Sequence, residues 1–334
     1  MKILRTTLFA FLAVISMQVL AYDNPQQKLQ ELFHNGEKCY LTDDYYQLKL
    51  CIDEYVDIYY DNILQFGDSA DVYEAYLLKM RGNYYYGLSN NDSGIRYVMS
   101  EYYYKKCFDI FDERDDTENT IVIRQELAQL YYKIQDYENA ILQLDKVSSY
   151  FEEQVNYMAI KSSEPKYYRT LSQQAICNAC LGNFDKALQQ IEIAHQYFEK
   201  NKDGDYYETL RRWGKILMMQ ADQNGTTDFQ TAKKYYERYV NEEFSSITQR
   251  LDTMSSKHRS QHWLATHRFL YYCCRLSNHA PELIYNLALF SKGFLVSYEN
   301  NRSVPQFKWQ QVQKKLAKTD CAIEFVQYFG EEDQ

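Results

Sequence analysis

The side chains best suited to nucleophilic or metal chemistry fall in a few places: Cys177-x-x-Cys180, Cys273-Cys274 behind His258, His262 and His267, and Cys321 near the C-terminus. A cysteine attacks as its thiolate, which requires a base within hydrogen-bond reach. Cys177 and Cys180 supply only half of a four-ligand zinc set, and their spacing suits close packing within a helix. His258 and His262 stand one helical turn apart, but no His-Glu-x-x-His pattern accompanies them. Cys321 has no histidine after it. We therefore expect no catalytic residues, no metal and no cofactor. Cys39 and Cys51 either pair in an oxidising compartment or persist as buried thiols, and spacing leaves both open.

The elements that would position such groups follow from composition. Only 11 Gly and 4 Pro occur, so the chain reads as long helices joined by short turns. Tyrosine reaches 34 and clusters, as in Tyr84-Tyr85-Tyr86, which suits packing between helices with the hydroxyl left in water. The formal charge of −9 and the lack of a basic cluster argue against nucleic acid and anionic lipid as partners.

A unit recurs along the chain. One copy runs Leu127-Ala128-x-x-Tyr131-Tyr132, then Asp136-Tyr137-x-x-Ala140-Ile141-x-x-Leu144-x-x-Val147. Another has Ala175, Leu181-Gly182-Asn183-Phe184 and Ala187; a third has Asp228-Phe229-x-x-Ala232; an earlier one has Gly82-x-x-Tyr85-Tyr86 and Gly94. Ala187 follows Ala140 by 47 residues, Ala232 follows Ala187 by 45, and Ala140 follows Gly94 by 46. The apolar residues after Tyr137 fall on one helical stripe that a lone helix pair cannot cover, so neighbouring pairs must stack.

This pattern resembles the tetratricopeptide repeat, with longer helices than that family's usual period implies. The resemblance implies an all-α solenoid of helix pairs with a concave, protein-binding face. Gly82, Ala128, Tyr131, Ala140, Ala175, Gly182, Ala187 and Ala232 would pack the repeats. Lys79, Asn83 and Tyr86 of one copy, with Gln125, Gln129, Tyr132 and Lys133 of the next, would line the groove and hold a protein or peptide segment. Residues 24–67 read as helices with turns near Asn35-Gly36 and Gly67, either a cap or a degenerate copy.

The two ends carry further signals. Lys2 and Arg5, the apolar run of residues 8–20 and Val19-Leu20-Ala21 read as an export signal cleaved after Ala21, which places the mature chain in the periplasm or outside the cell with no membrane span. Tyr285-Asn286-Leu287-Ala288-Leu289-Phe290-Ser291-Lys292-Gly293 is similar to the helix joining tetratricopeptide arrays to the caspase-like CHAT domain, and the later Trp309-Gln310-Gln311-Val312, followed by Ala322-Ile323-Glu324-Phe325-Val326, is similar to the helix and first core strand of that domain. Residues 322–328 alternate as a single β-strand with no partner strand in the sequence, so this end is expected to be either a loosely docked remnant or a strand that pairs with another chain. The peptidase family's His and Cys would lie on strands beyond Gln334. The expected organisation is a signal peptide at 1–21, an N-terminal helical cap or degenerate repeat at 22–67, repeats at 68–243, linking helices at 244–303 and a CHAT-like remnant at 304–334. The expected role is a protein-binding scaffold and not an enzyme; the alternative is the sensor half of a caspase-like peptidase.

Overall fold

The computed structural model describes residues 24–88, 94–201, 205–225, 229–250, 280–300 and 309–317, with the backbone alone at 243–250 and 292–300. The export signal, the strand at 322–328, His258, His262, His267, Cys273, Cys274 and Cys321 lie outside the described residues. Every described element is helical, and no described helix is long and apolar enough to cross a membrane.

The chain divides into two compact units, Met1–Tyr150 and Phe151–Gln334. The first holds α1 (Pro25–Leu41), α2 (Tyr45–Phe66), a 3-10 turn at Gly67–Ser69, α3 (Ala70–Leu88), α4 (Gly94–Glu113), α5 (Thr117–Lys133) and most of α6 (Tyr137–Asn156). The second holds α7 (Glu164–Cys180), α8 (Phe184–Asn201), α9 (Asp205–Gln223), α10 (Gln230–Arg250), α11 (Pro281–Asn300) and α12 (Trp309–Gln313). In each unit, successive helices pack as pairs. The first helix of one pair also meets the first helix of the next, α1 with α3 and α7 with α9. The expected helix-pair repeat is present.

Short-range chemistry closes the turns. Asp43, Asp115, Gln135 and Gly182 each sit at positive φ just past a helix end. The following residue's N–H then bonds back to the carbonyl five residues earlier: Asp44 to Cys39 and Asp136 to Tyr131 at 2.9 Å, and Asn183 to Asn178 at 2.8 Å. This left-handed cap satisfies the last carbonyls of the helix. The same Asp then starts the next helix, where Asp44, Asp116 and Asp136 accept from the N–H groups of Gln47, Asn119 and Asn139. One dipeptide therefore ends one helix and begins another, which keeps the turn to three residues.

The crossing points need small residues. A Cβ on Gly82 would lie 2.5 Å from the Tyr104 ring, and one on Gly214 would lie 2.8 Å from Tyr236. Ala128 and Ala175 hold the same place in their pairs, both buried. Facing them from the second helix are Ala140, Ala187 and Ala232, all buried.

Two readings of the sequence need correction. Asn35-Gly36 is not a turn: α1 runs through it, and Gly36 is where Met80 approaches, 2.7 Å from a would-be Cβ. Residues 24–67 are thus a helix pair of the same design, with its turn at Thr42-Asp43-Asp44. Gly94 is likewise not the counterpart of Ala140. It is exposed, and Ser100, fully buried with its hydroxyl donating to the Gly82 carbonyl at 3.0 Å, takes that place. A longer turn between α3 and α4 displaces the register.

The tyrosines also differ from expectation. Several are wholly enclosed and their hydroxyls are bonded inside the protein: Tyr55 donates to the Tyr73 carbonyl at 2.9 Å, and Tyr206 to Glu242 at 2.7 Å. A buried hydroxyl left without a partner costs about 1–3 kcal/mol, so each ring brings a fixed polar contact into the core. In the second unit, Leu283, Leu287 and Phe290 of α11 join the core built by Leu210, Phe229 and Tyr236.

Candidate functional site

The groove residues expected on α3 are where the first unit concentrates its polarity, but in a different role. Lys79 and Asn83 are buried. The Lys79 ammonium pairs with one oxygen of Glu37 on α1, and Asn83 Nδ2 donates to the other at 2.8 Å. The Tyr104 hydroxyl, from α4, donates to Asn83 Oδ1 at 2.8 Å. Lys79 also lies 5.4 Å from the centre of the Phe33 ring. Both of these residues, expected to line the groove and hold a peptide segment, are therefore engaged by Glu37. Such a buried, hydrogen-bonded charge pair is costly to break from one side.

Beside this network stands Glu126 of α5. It makes no hydrogen bond or ion pair with any described residue, although part of its side chain reaches solvent. Burial pushes its carboxyl up to about 7; the Lys79 charge opposes that rise and the Glu37 charge adds to it. For Tyr40, Tyr86 and Tyr104, burial raises the phenol most, and Glu126 is the next cause in all three. The carboxyl therefore sits among three phenols contributed by α1, α3 and α4.

The remaining expected contacts are nearer the surface. Gln125 and Tyr132 are half-buried, with the Tyr132 ring 5.7 Å from that of Tyr137, whereas Gln129 and Lys133 are exposed. Of the seven residues, the structure brings Lys79, Asn83 and Tyr86 into one cluster with Glu37, Tyr40, Tyr104 and Glu126, none of which sequence reasoning selected. A signal existed: Glu37 and Tyr40 precede Asn83 and Tyr86 by 46 residues, the repeat offset. Taking Gly36 as a turn concealed it.

The equivalent layer of the second unit is internally satisfied. Asn178 donates to Gln190 at 2.9 Å and Gln190 to Gln174 at 3.2 Å. Burial would raise Glu208, but Arg212 and Arg211 hold it down to about 2. Arg212 also donates to Ser172 at 2.9 Å. His195 shares a 2.9 Å hydrogen bond with Thr209.

The thiols do not resemble nucleophiles. Burial pushes Cys177 up to about 12, with Cys180 adding to the rise and Arg212 offsetting it only in part. In the first unit, burial raises the Cys51 thiol most, with the neighbouring Cys39 adding to the rise. Both are reduced in this structure. A separate open cleft of about 500 Å³ between α2, α3 and α4 is lined by Lys49, Asp53, Asp57, Arg81, Tyr85 and Tyr103. Lys49 there pairs with Asp53.

Comparison with known proteins gives no matching family model and no matching curated protein. Among solved structures, the chain is similar to kinesin light chain repeats from Podosopora anserina, described as nearly identical TPR-like repeats, with 11% identity and a TM-score of 0.47 over 66% of this chain and 96% of that one. A substituted form of the same protein gives 11% identity and a TM-score of 0.48 with the same coverage. The helix-pair assignment rests on the left-handed turns and small crossing residues described above.

Proposed function

We propose that this chain is an exported scaffold that binds an extended protein segment along the face formed by the first helices of the pairs in its first unit. One observation carries the reading: on that face of the first unit, Glu126 and the phenols of Tyr40 and Tyr86 form a polar cluster whose carboxylate has no partner among the described residues, whereas the matching layer of the second unit is satisfied by its own side chains. Buried polar groups are normally paired, and exceptions call for an explanation such as a binding role.

Photocrosslinking tests the surface. A photoreactive side chain placed at Gln129 should capture a partner in the source cell's envelope fraction, and one at Leu142, exposed on the second-helix side, should not. Capture at Leu142 alone refutes the assignment. Export rests on Lys2, Arg5 and the apolar run before Ala21; N-terminal sequencing of the mature protein should begin at Tyr22.

A second reading, the sensor half of a caspase-like peptidase, is favoured by one contact. The two segments similar to the CHAT-associated region meet in space, the Trp309 N–H donating to Asn286 Oδ1 at 2.8 Å. Translation of the DNA downstream of Gln334 tests it. A frame lacking a His and a Cys on further strands removes this reading.

A further inference from the structure

The open cleft of about 500 Å³ takes its walls from α2 and α4, the second helices of two successive pairs, with Arg81, Tyr84 and Tyr85 of α3 between them. Arg81 is the group there that nothing answers. Its guanidinium lies 5.8 Å from the centre of the Tyr103 ring and makes no hydrogen bond or ion pair with any described residue. Every other arginine whose side chain is described donates to a side-chain or carbonyl oxygen. Two carboxylates line the same cleft, yet neither reaches Arg81: Asp53 is held by Lys49 at 2.5 Å, and Asp57 forms no ion pair among the described residues.

The ring beside Arg81 is itself fixed. Tyr103 stacks on Tyr85, with 5.6 Å between centres and 14° between planes, and Tyr85 meets Tyr84 edge-on. A ring attracts a guanidinium but accepts none of its five N–H donors as an oxygen would. The charge is thus held in place, half-buried, with its hydrogen-bonding capacity unused.

We propose that this cleft is a second binding site, for an acidic side chain, a glutamate or aspartate of a partner protein segment, with Arg81 as the ion-pairing group. It goes beyond the groove reading, which concerns the first helices alone. A planar carboxylate matches the guanidinium fork and can take two parallel hydrogen bonds from it. Asp53 and Asp57 select against a phosphate, whose greater negative charge meets more repulsion from both. Tyr46 and Tyr60 stand one turn from Lys49 and Asp57 on α2 and are 71% and 57% exposed. Residues flanking the acid in a protein segment can cover those rings, which a small free acid cannot.

The test selects phage-displayed random dodecapeptides on the immobilised full chain, with soluble Arg81→Gln protein in excess to remove binders of every other surface. The surviving peptides should carry Asp or Glu more often than the unselected library. One of them, made with Glu, Gln or phosphoserine at the enriched position, is then followed by fluorescence anisotropy. The Glu form should bind at least about tenfold more tightly than the Gln form, and Arg81→Gln should remove that advantage. Arg81→Lys, which keeps the charge and loses the fork, should retain only part of it. Arg81 makes no hydrogen bond within the described chain, so both variants should keep the wild-type thermal midpoint. Asp57→Asn should preserve the Glu advantage and improve binding of the phosphoserine form. Absence of Arg81-dependent peptides, absence of acidic enrichment, or tighter binding of phosphoserine than of Glu to the wild-type chain would overturn the inference. None of these outcomes bears on capture at Gln129, which decides the groove reading.

Discussion

Glu126 makes the fold itself sensitive to pH, and the sensitivity can be worked out. In the folded chain its carboxyl is pushed from 4.5 to about 7 by burial, against the opposing charge of Lys79. The folded state therefore binds this proton more tightly than the unfolded state. Stability from this group is fully present below the unfolded value, declines from there as pH rises, and is lost once pH passes through the folded value. At about 1.36 kcal/mol per unit, the full loss is about 3 kcal/mol as an upper figure, and partial solvation of the side chain reduces it. Glu208 does not confuse this window: its folded value is held down to about 2, so it is ionised in both states above pH 5.5. Glu126→Gln removes the titrating group and keeps its volume, so the variant should match wild type at about pH 4 and below and exceed it by about 1–3 kcal/mol at pH 8. Urea denaturation of both proteins across that range reads the difference directly, and contributions from histidines cancel between them. A gap that does not change with pH, or one that shrinks as pH rises, would refute the claim that an unpaired buried carboxyl stands at this position.

Three further outcomes follow from the geometry. Gly82→Ala should destabilise by about 1–3 kcal/mol, because Tyr104 is fully buried and cannot retreat from the new Cβ, whereas Gly94→Ala meets open space and should not; thermal melting of the two variants separates them. Lys79→Met should cost about 3–5 kcal/mol by leaving Glu37 with Asn83 alone, measured by urea midpoint, and adding Glu37→Gln should recover part of that loss. Cys39 acts on the Cys51 thiol as a neighbour, so air oxidation should join them as one linked peptide in unreduced mass spectra; free thiols at both after oxidation would rule this out.

What was legible in the sequence was local. Asp136 followed by Tyr137, and Gly182-Asn183 followed by Phe184, announce the turns because the same few residues satisfy both helix ends. Ala128, Ala140, Ala175 and Ala187 announce the crossings because only small side chains fit there. Failures came where a residue type has two uses. Glycine inside a helix costs about 1 kcal/mol, so Gly36 reads as a turn until the approach of Met80 is seen. The register of α4 was lost because the span from Gly82 to Ser100 is longer than that from Ala128 to Ala140, and spacing alone then selects Gly94. Glu126 was invisible for a different reason. That it lacks an ion-pair partner depends on which side chains α1, α3 and α4 bring beside it.

The repeat offset explains how the Glu37 network arises. Asn83 stands at the position of Glu37 one pair earlier, and Tyr86 at the position of Tyr40. Each pair thus presents the same places to its neighbour, but with different residues in them. Where the first pair offers a carboxylate, the second answers with Lys79 and Asn83 and the charge is neutralised. The third pair has Gln129 at the place of Glu37 and Asn83, exposed, and Glu126 stands three positions earlier, where burial pushes its carboxyl up to about 7.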